Sequence, residues 1–173
     1  MKRKIYRIAE GKNKKIKFIV DHSFDLEVIF QGKNSSAEIV GLVMPKPHTN
    51  IIIRTKQIHN YPQSKSNLLI RSVISEGSCV TYEGTIRIEK HARYVDAYQK
   101  NETMLLSDTS QIHTSPILEI LNHDVKCTHG ATVKPISETE LLYLQSRGIS
   151  RLQARKMIVR GFIDGIIKNN LYD

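Results

Sequence analysis

Residues 101–148 read NETMLLSDTSQIHTSPILEILNHDVKCTHGATVKPISETELLYLQSRG. Apolar pulses, among them Met104-Leu105-Leu106, Ile117-Leu118 and Ile120-Leu121, alternate with polar turns up to Cys127 and His129. Pulses of two to four residues are too short for helices, which need about ten or more. After Pro135 the period changes. Ser137 with Glu140 forms a capping box, in which the serine accepts from a free helical N–H and the glutamate reaches back. Gly148 is a natural stop. The stretch therefore divides the chain into strands over residues 1–135 and a helical cap over 136–173.

Working backward, apolar pulses begin at Ile51, Leu68, Ile86 and Met104, in steps of 17, 18 and 18. Secondary strand candidates lie near Gln57-Ile58, Val73-Ile74 and Tyr94 to Ala97. Asn50, Asn67, Gly77, Gly84 and Asn101 read as corners, where asparagine tolerates left-handed backbone. One such unit cannot bury its apolar face, but stacked units can. A right-handed parallel β-helix with two or three short strands per coil explains both the pulses and their spacing. An antiparallel sandwich with hairpins of similar length remains open on periodicity alone. Nearer the amino terminus, residues 4–9 and 15–20 read as strands joined by the turn Glu10 to Asn13. Leu26, Val28 and Phe30 alternate as a third strand, residues 37–43 form a fourth, and Pro45 and Pro47 end it.

Working forward, Ser150 with Gln153 repeats the helix-start signal. Leu152, Val159, Phe162, Ile163, Ile166 and Ile167 line one side of a second helix. Gly161 and Gly165, four apart, would admit a close neighbouring backbone. Both helices read as short and as covering the open end of the stack.

Composition excludes several classes. The 173 residues suit one domain with a small appendage. No apolar run reaches the roughly eighteen residues a membrane helix needs, and the basic start lacks the apolar segment of a secretory signal. Cys79 and Cys127 form no paired-cysteine motif, so a reduced, cytoplasmic setting is expected. No phosphate loop is present. The net charge is +9, and residues 1–17 carry eight Lys and Arg against Glu10, a balance of +7. The plain reading of this arm is a solvated edge. Nucleic acid is a disfavoured partner because aromatic residues are not interleaved with the charges.

His113, His123, Asp124, Cys127 and His129 fall within 17 positions. Thiolate and imidazole suit iron, zinc or copper. In a strand, Cys127 and His129 share one face with Cα atoms about 6.5–7 Å apart, within reach of one ion. The bland alternative is a buried small cysteine and a satisfied corner histidine. A Cys-His nucleophilic pair lacks a third group and an oxyanion feature.

These residues also carry a resemblance. Ser115-Pro116-Ile117-Leu118-Glu119-Ile120, Asp124 through Val133, and Leu142 through Ile149 resemble the signature of the SufB/SufD family of iron–sulfur cluster assembly proteins. Tyr82 to Ile86, Asn101 to Ser107 and Ala154 to Phe162 fit the same family. The resemblance implies a right-handed parallel β-helix with a carboxy-terminal helical region, and a non-enzymatic scaffold role. It further implies pairing with a SufB-like subunit or an identical chain, docking of a SufC-like ABC-type ATPase, and a transient iron–sulfur cluster shared with the partner. SufB-type chains carry a sulfur-accepting cysteine where this one has Asn101, and a glutamate where it has Gly130. The Cys127 and His129 positions match the SufD type, so these two are the implied cluster and metal ligands, His129 foremost. Lys126, Thr132 and Arg147 are expected to be solvated or structural. Family members usually have a longer amino-terminal region, and the chain is expected to be a shortened, SufD-like form.

Overall fold

The computed structural model describes residues 1–170, with side chains through residue 166. Ten strands and two helices follow in order. They are β1 Lys2–Ile8, β2 Asn13–Val20, β3 Phe24–Phe30, β4 Ser36–Val43, β5 Asn50–His59 and β6 Lys65–Ile74, then β7 Cys79–Ile88, β8 Asp96–Leu105, β9 Gln111–Ile120 and β10 Lys126–Pro135, with α1 Glu138–Ser146 and α2 Arg151–Asn170. Odd strands form one five-stranded sheet in the order β1-β3-β5-β7-β9, and even strands form a second in the order β10-β8-β6-β4-β2. Every pairing is parallel. The chain is a parallel β-helix whose coils each place one strand in each sheet.

The sandwich alternative therefore falls, and the turn at Glu10 to Asn13 links two sheets instead of closing a hairpin. Each of the later coils holds two strands of ten residues, so the secondary candidates Gln57-Ile58 and Val73-Ile74 are the ends of β5 and β6. Stacked partners are Asn50 with Cys79 and Cys79 with Gln111, a coil repeat of 29 to 32 residues. The sequence steps of 17 and 18 are hops between sheets, about half a coil.

Alternation fixes which residues face inward. Phe24, Leu26, Val28 and Phe30 stack under Ile53, Thr55, Gln57 and His59, all of them buried. On the facing sheet Ile39, Leu68 and Ile70 are fully buried. The centre of the interior turns polar. His59 is buried with its ring stacked 4.2 Å from Phe30, and its two nitrogens bond Ser64 Oγ at 2.7 Å and Ser66 Oγ at 2.9 Å. Tyr82 Oη lies 2.8 Å from Thr55 Oγ1. Gln99 Nε2 donates to the Gly84 carbonyl, and a Cβ at position 84 would sit 2.1 Å from that nitrogen. Gly84 is thus an interior position kept bare for Gln99, not a corner.

Six of the nine turns into a strand share one device. Gly11, Asn34, His48, Gln63, Gly77 and Tyr94 all have positive φ, and each stands two residues before a strand. Of the expected corners only Gly77 holds this place, since Asn67, Gly84 and Asn101 lie inside strands and Asn50 begins one.

Both helices start at the expected serine caps, the box at Ser137 showing its serine half. Ser137 Oγ accepts from the Glu140 N–H at 3.2 Å, and Gly148 follows α1 with φ +82°. Ser150 Oγ accepts from the Gln153 N–H, and Gln153 Oε1 accepts from the Ser150 N–H. Their seat differs from the expectation. The second helix is 20 residues long and packs beside β4 and β6, on the outside of the even sheet. Leu42, Val73 and Met104 are buried on that outer face. Arg71 is the anchor: its Nε donates to Glu102 at 2.7 Å, its Nη1 donates to the Phe162 carbonyl at 2.6 Å, and it lies over the Phe162 ring. Gly165 admits this arginine rather than a backbone, since a Cβ there would meet Arg71 Nη1 at 2.5 Å, whereas Gly161 faces open space. The apolar residues of α2 divide between two sides. Ile166 is buried, Leu152 is 65% exposed, and the Ile167 side chain lies outside the described residues.

Candidate functional site

The packing arrangement leaves the last coil uncovered. On β9, Ile112, Thr114, Pro116, Leu118 and Ile120 stack on Val80, Tyr82, Gly84, Ile86 and Ile88, so they occupy inner positions. On β10, Cys127, His129, Ala131, Val133 and Pro135 stack on Ala97, Gln99, Asn101, Thr103 and Leu105. In β7 the inner positions are buried, yet in β9 and β10 they are half-buried or exposed, with Ile120 at 40% and Val133 at 44%. Among the described residues no strand pairs with the outer edge of β9 or β10, and no helix covers them. Pro116 is tolerated here because an edge strand need not donate on both sides.

Cys127 and His129 share this inner face, as the two-residue period requires. Cys127 is half-buried against Ile86, Ile88, Ala92, Val95 and Ala97, and burial pushes its thiol above the usual range. Slow alkylation of Cys127 at pH 8, relative to a small free thiol and measured in a Cys79→Ser chain, is the expected result. Equal rates would show that the thiol is open to solvent. His129 is exposed at the mouth.

The wider cluster does not assemble. His113 lies on β9 opposite Thr81, on the outer face, and His123 is exposed in the turn before β10. Asp124 is tied to Arg93 at 2.6 Å, and its carbonyl accepts from the Tyr94 N–H. No group of three or more His, Cys, Asp or Glu side chains among the described residues converges as a metal site. This face thus supplies a thiol and an imidazole, a donor pair suited to iron but short of the four protein ligands that hold a whole iron–sulfur cluster. Asn101 is buried on the inner face and donates to Thr114 Oγ1 at 3.4 Å, while Gly130 belongs to the outer face with Lys100. Lys126 is exposed, Thr132 is exposed on β10, and Arg147 forms the carboxy-terminal cap of α1 with its guanidinium over Tyr143.

The sequence model of the SUF system FeS cluster assembly SufBD core domain matches residues 21–162. The chain belongs to the SufBD family. Its match to the iron-sulfur cluster assembly protein SufD of Escherichia coli (strain K12) is 35% identical over 131 residues, 76% of this chain and 31% of the relative. SufB of Bacillus subtilis (strain 168) is 36% identical over 113 residues, 65% of this chain and 24% of that protein. A SufBD family protein of Mycobacterium tuberculosis (strain ATCC 25618 / H37Rv) is 31% identical over 137 residues, 79% of this chain and 16% of its own length. The chain therefore spans about a third or less of these SufBD relatives. The matched SufBD core begins near β3 and runs through the open coil into α2.

Sequence reasoning placed Cys127 and His129 on one face and named residues 112–133 as a shared edge, but it expected the helices to cover the open end, whereas α2 packs beside β4 and β6. The alternation Ile112, Thr114, Pro116, Leu118, Ile120 was the signal of the open face. Sequence reasoning missed a second feature. Leu106, Leu152, Val159 and Ile163 line a groove of 460 Å³ beside α2, rimmed by Arg155, Lys156 and the ion pair of Arg160 with Asp164 at 3.6 Å. Both cysteines are free, and no described helix is long and apolar enough to cross a membrane.

Proposed function

We propose that this chain is a non-catalytic scaffold or partner subunit in SUF-type iron–sulfur cluster assembly, SufD-like in character. It joins a SufB-like chain, or a second copy of itself, through the last coil. The nascent cluster is cargo at that seam, with His129 and Cys127 as two of its ligands and the partner supplying the rest. A SufC-like ABC-type ATPase docks on the helical region, where the basic-rimmed apolar groove of α2 suits an amphipathic segment with acidic flanks. The observation that carries the reading is the open inner face of β9 and β10, which presents two unpaired strand edges and the Cys127–His129 pair together. A second strand pair satisfies those edges by augmentation.

Ile120→Lys tests the pairing. Ile120 stacks on buried Ile88 yet is itself 40% exposed, so a charge there leaves the single chain folded. Val125 is the poorer position for this test, being packed against the core group around Ile86 and Val95. In native-host pull-downs the wild-type chain is expected to bring down a SufB-like chain and a SufC-like ATPase, and Ile120→Lys to lose the SufB-like chain. His129→Ala is expected to keep the pair but lower the iron and sulfide recovered from it under anaerobic purification. Absence of both partners at native expression levels would sink the assembly role. The same open coil also fits a homomeric β-helical interaction protein outside cluster assembly. That reading requires a stable self-pair in sedimentation that gains no mass when a SufC-like protein is added.

A further inference from the structure

A pocket of 220 Å³ lies between the outer face of the even sheet and α2, and its lining includes Arg71, Glu102, Thr132, Lys134 and Phe162. Strand register builds its floor. Arg71 on β6, Glu102 on β8 and Thr132 on β10 are stacked partners, and Lys134 stands two residues beyond Thr132 on the same face. Phe162 of α2 supplies a wall, its ring centre 5.1 Å from Arg71 Cζ and 5.9 Å from Lys134 Nζ.

Charge around this pocket is unbalanced. Glu102 has both oxygens taken, Oε2 by Arg71 Nε at 2.7 Å and Oε1 by Lys100 Nζ at 2.6 Å. One carboxylate thus answers two cations, and Lys134 adds a third. Donors are also left over: Arg71 Nη2, Thr132 Oγ1 and Lys134 Nζ make no hydrogen bond or ion pair among the described residues. The Arg71 and Glu102 side chains are 17% and 18% exposed, against 43% and 38% for the Arg54–Glu83 pair on the other sheet. Water therefore screens the Arg71 cluster less.

We propose that this pocket binds a tetrahedral oxyanion, inorganic phosphate or the phosphate group of a larger molecule. A guanidinium, an ammonium and a hydroxyl hold such an ion with charge-assisted hydrogen bonds. Glu102 does not turn it away, because Arg71 and Lys100 already neutralise that carboxylate. The volume lies below the roughly 300–1,000 Å³ of pockets for drug-sized ligands, so one phosphate group fits and anything attached to it stays outside. The bound ion joins β10 to α2: Thr132 and Lys134 grip it from the strand, and Arg71 grips it while seated on the Phe162 carbonyl. The site is on the opposite face of β10 from Cys127 and His129 and does not depend on the last-coil pairing.

Calorimetric titration of the whole chain with inorganic phosphate, at an ionic strength held constant with sodium chloride, tests the site. The wild type is expected to bind saturably. Lys134→Met keeps the stem over Phe162 but removes the charge, and is expected to bind about tenfold or more weakly. Thr132→Val is expected to bind more weakly as well, and Lys134→Arg to bind as the wild type does. Lys90→Met removes the same charge from an exposed turn and is expected to change nothing. Arg71 is left in place because it seats α2. Phosphate is expected to slow hydrogen exchange at residues 132–134 and around Phe162 in the wild type, and not in Lys134→Met.

A repeat with ADP separates the two sources. Binding no tighter than that of phosphate assigns the free ion, and tighter binding that Lys134→Met loses assigns a phosphate carried by a larger molecule. Tighter binding that Lys134→Met keeps overturns the pocket as the seat. So does the absence of saturable binding of either compound, equal binding of phosphate by Lys134→Met and the wild type, or an equal weakening by Lys90→Met, which would reduce the effect to net charge.

Discussion

Lowering the pH from 7.5 to 5 is expected to remove about 2 kcal/mol of folding stability through His59 alone. The imidazole is buried among Phe30, Ser64 and Ser66, and burial pushes its pKa down to about 3 from the ordinary 6.5. A histidine with a lowered folded value binds its proton more tightly in the unfolded chain. Stability is therefore complete above about pH 6.5 and falls as the pH drops toward the folded value. Carboxylate effects lie lower. Burial raises Glu102, but hydrogen bonds from Lys100 and Arg71 and their charges outweigh it, so its carboxyl stays below the usual range. Its contribution is lost only below about pH 4.5, outside the window. Urea denaturation at the two pH values measures the difference. His59→Gln keeps hydrogen-bonding capacity for the serines but does not titrate, so its stability should change far less over the same interval. An equal acid loss in both chains would place the effect elsewhere.

Truncating the neighbouring ring is expected to cost more. Phe30 is fully buried at an inner position, between Ile8 and His59 in the stacking register. Phe30→Ala removes the packed ring and leaves a cavity that β-sheet backbones on both sides cannot collapse into. Such changes cost about 3–5 kcal/mol, which for a chain of this size lowers the melting temperature by about 6–20 °C. The ring also forms one wall around His59. Water admitted to the cavity would solvate the imidazolium, so the acid sensitivity of the Phe30→Ala chain should be smaller than that of the wild type. A loss below about 1 kcal/mol, with unchanged acid sensitivity, would show that the interior is already loose there.

Packing and assembly meet at the same structural fact. The middle coils are closed above and below, whereas among the described residues the first and last coils each leave one side of their inner face unstacked. At the first coil three of the inner positions are exposed lysines, Lys2, Lys4 and Lys14, and the rest are Tyr6 and the buried Ile8, Ile16, Phe18 and Val20. At the last they are aliphatic residues around a thiol and an imidazole.

Much of this was written locally in the chain. Alternation at Leu26, Val28 and Phe30 marked inner residues because successive strand side chains point to opposite faces, whatever the strand pairs with. The same rule put Cys127 and His129 on one face. The caps at Ser137 and Ser150 were legible because each bond closes within three residues. Membership in the SufBD family was likewise carried by local order, from Pro116 through His129 to Gly148. Other features belong to the tertiary structure, because they depend on residues about thirty positions apart. Apart from Gly11 and Gly77, the left-handed corners escaped notice since asparagine, histidine, glutamine and tyrosine occupy them, held there by the stack rather than by their own preference. The coil repeat of 29 to 32 was masked because pulses fall at different depths in alternate sheets. The seat of α2 depends on Arg71 meeting Phe162, 91 residues away, which no helical period encodes. Whether a strand's inner face is buried or open depends on the coil stacked above it, and a sequence period records which face a residue takes but not what covers that face.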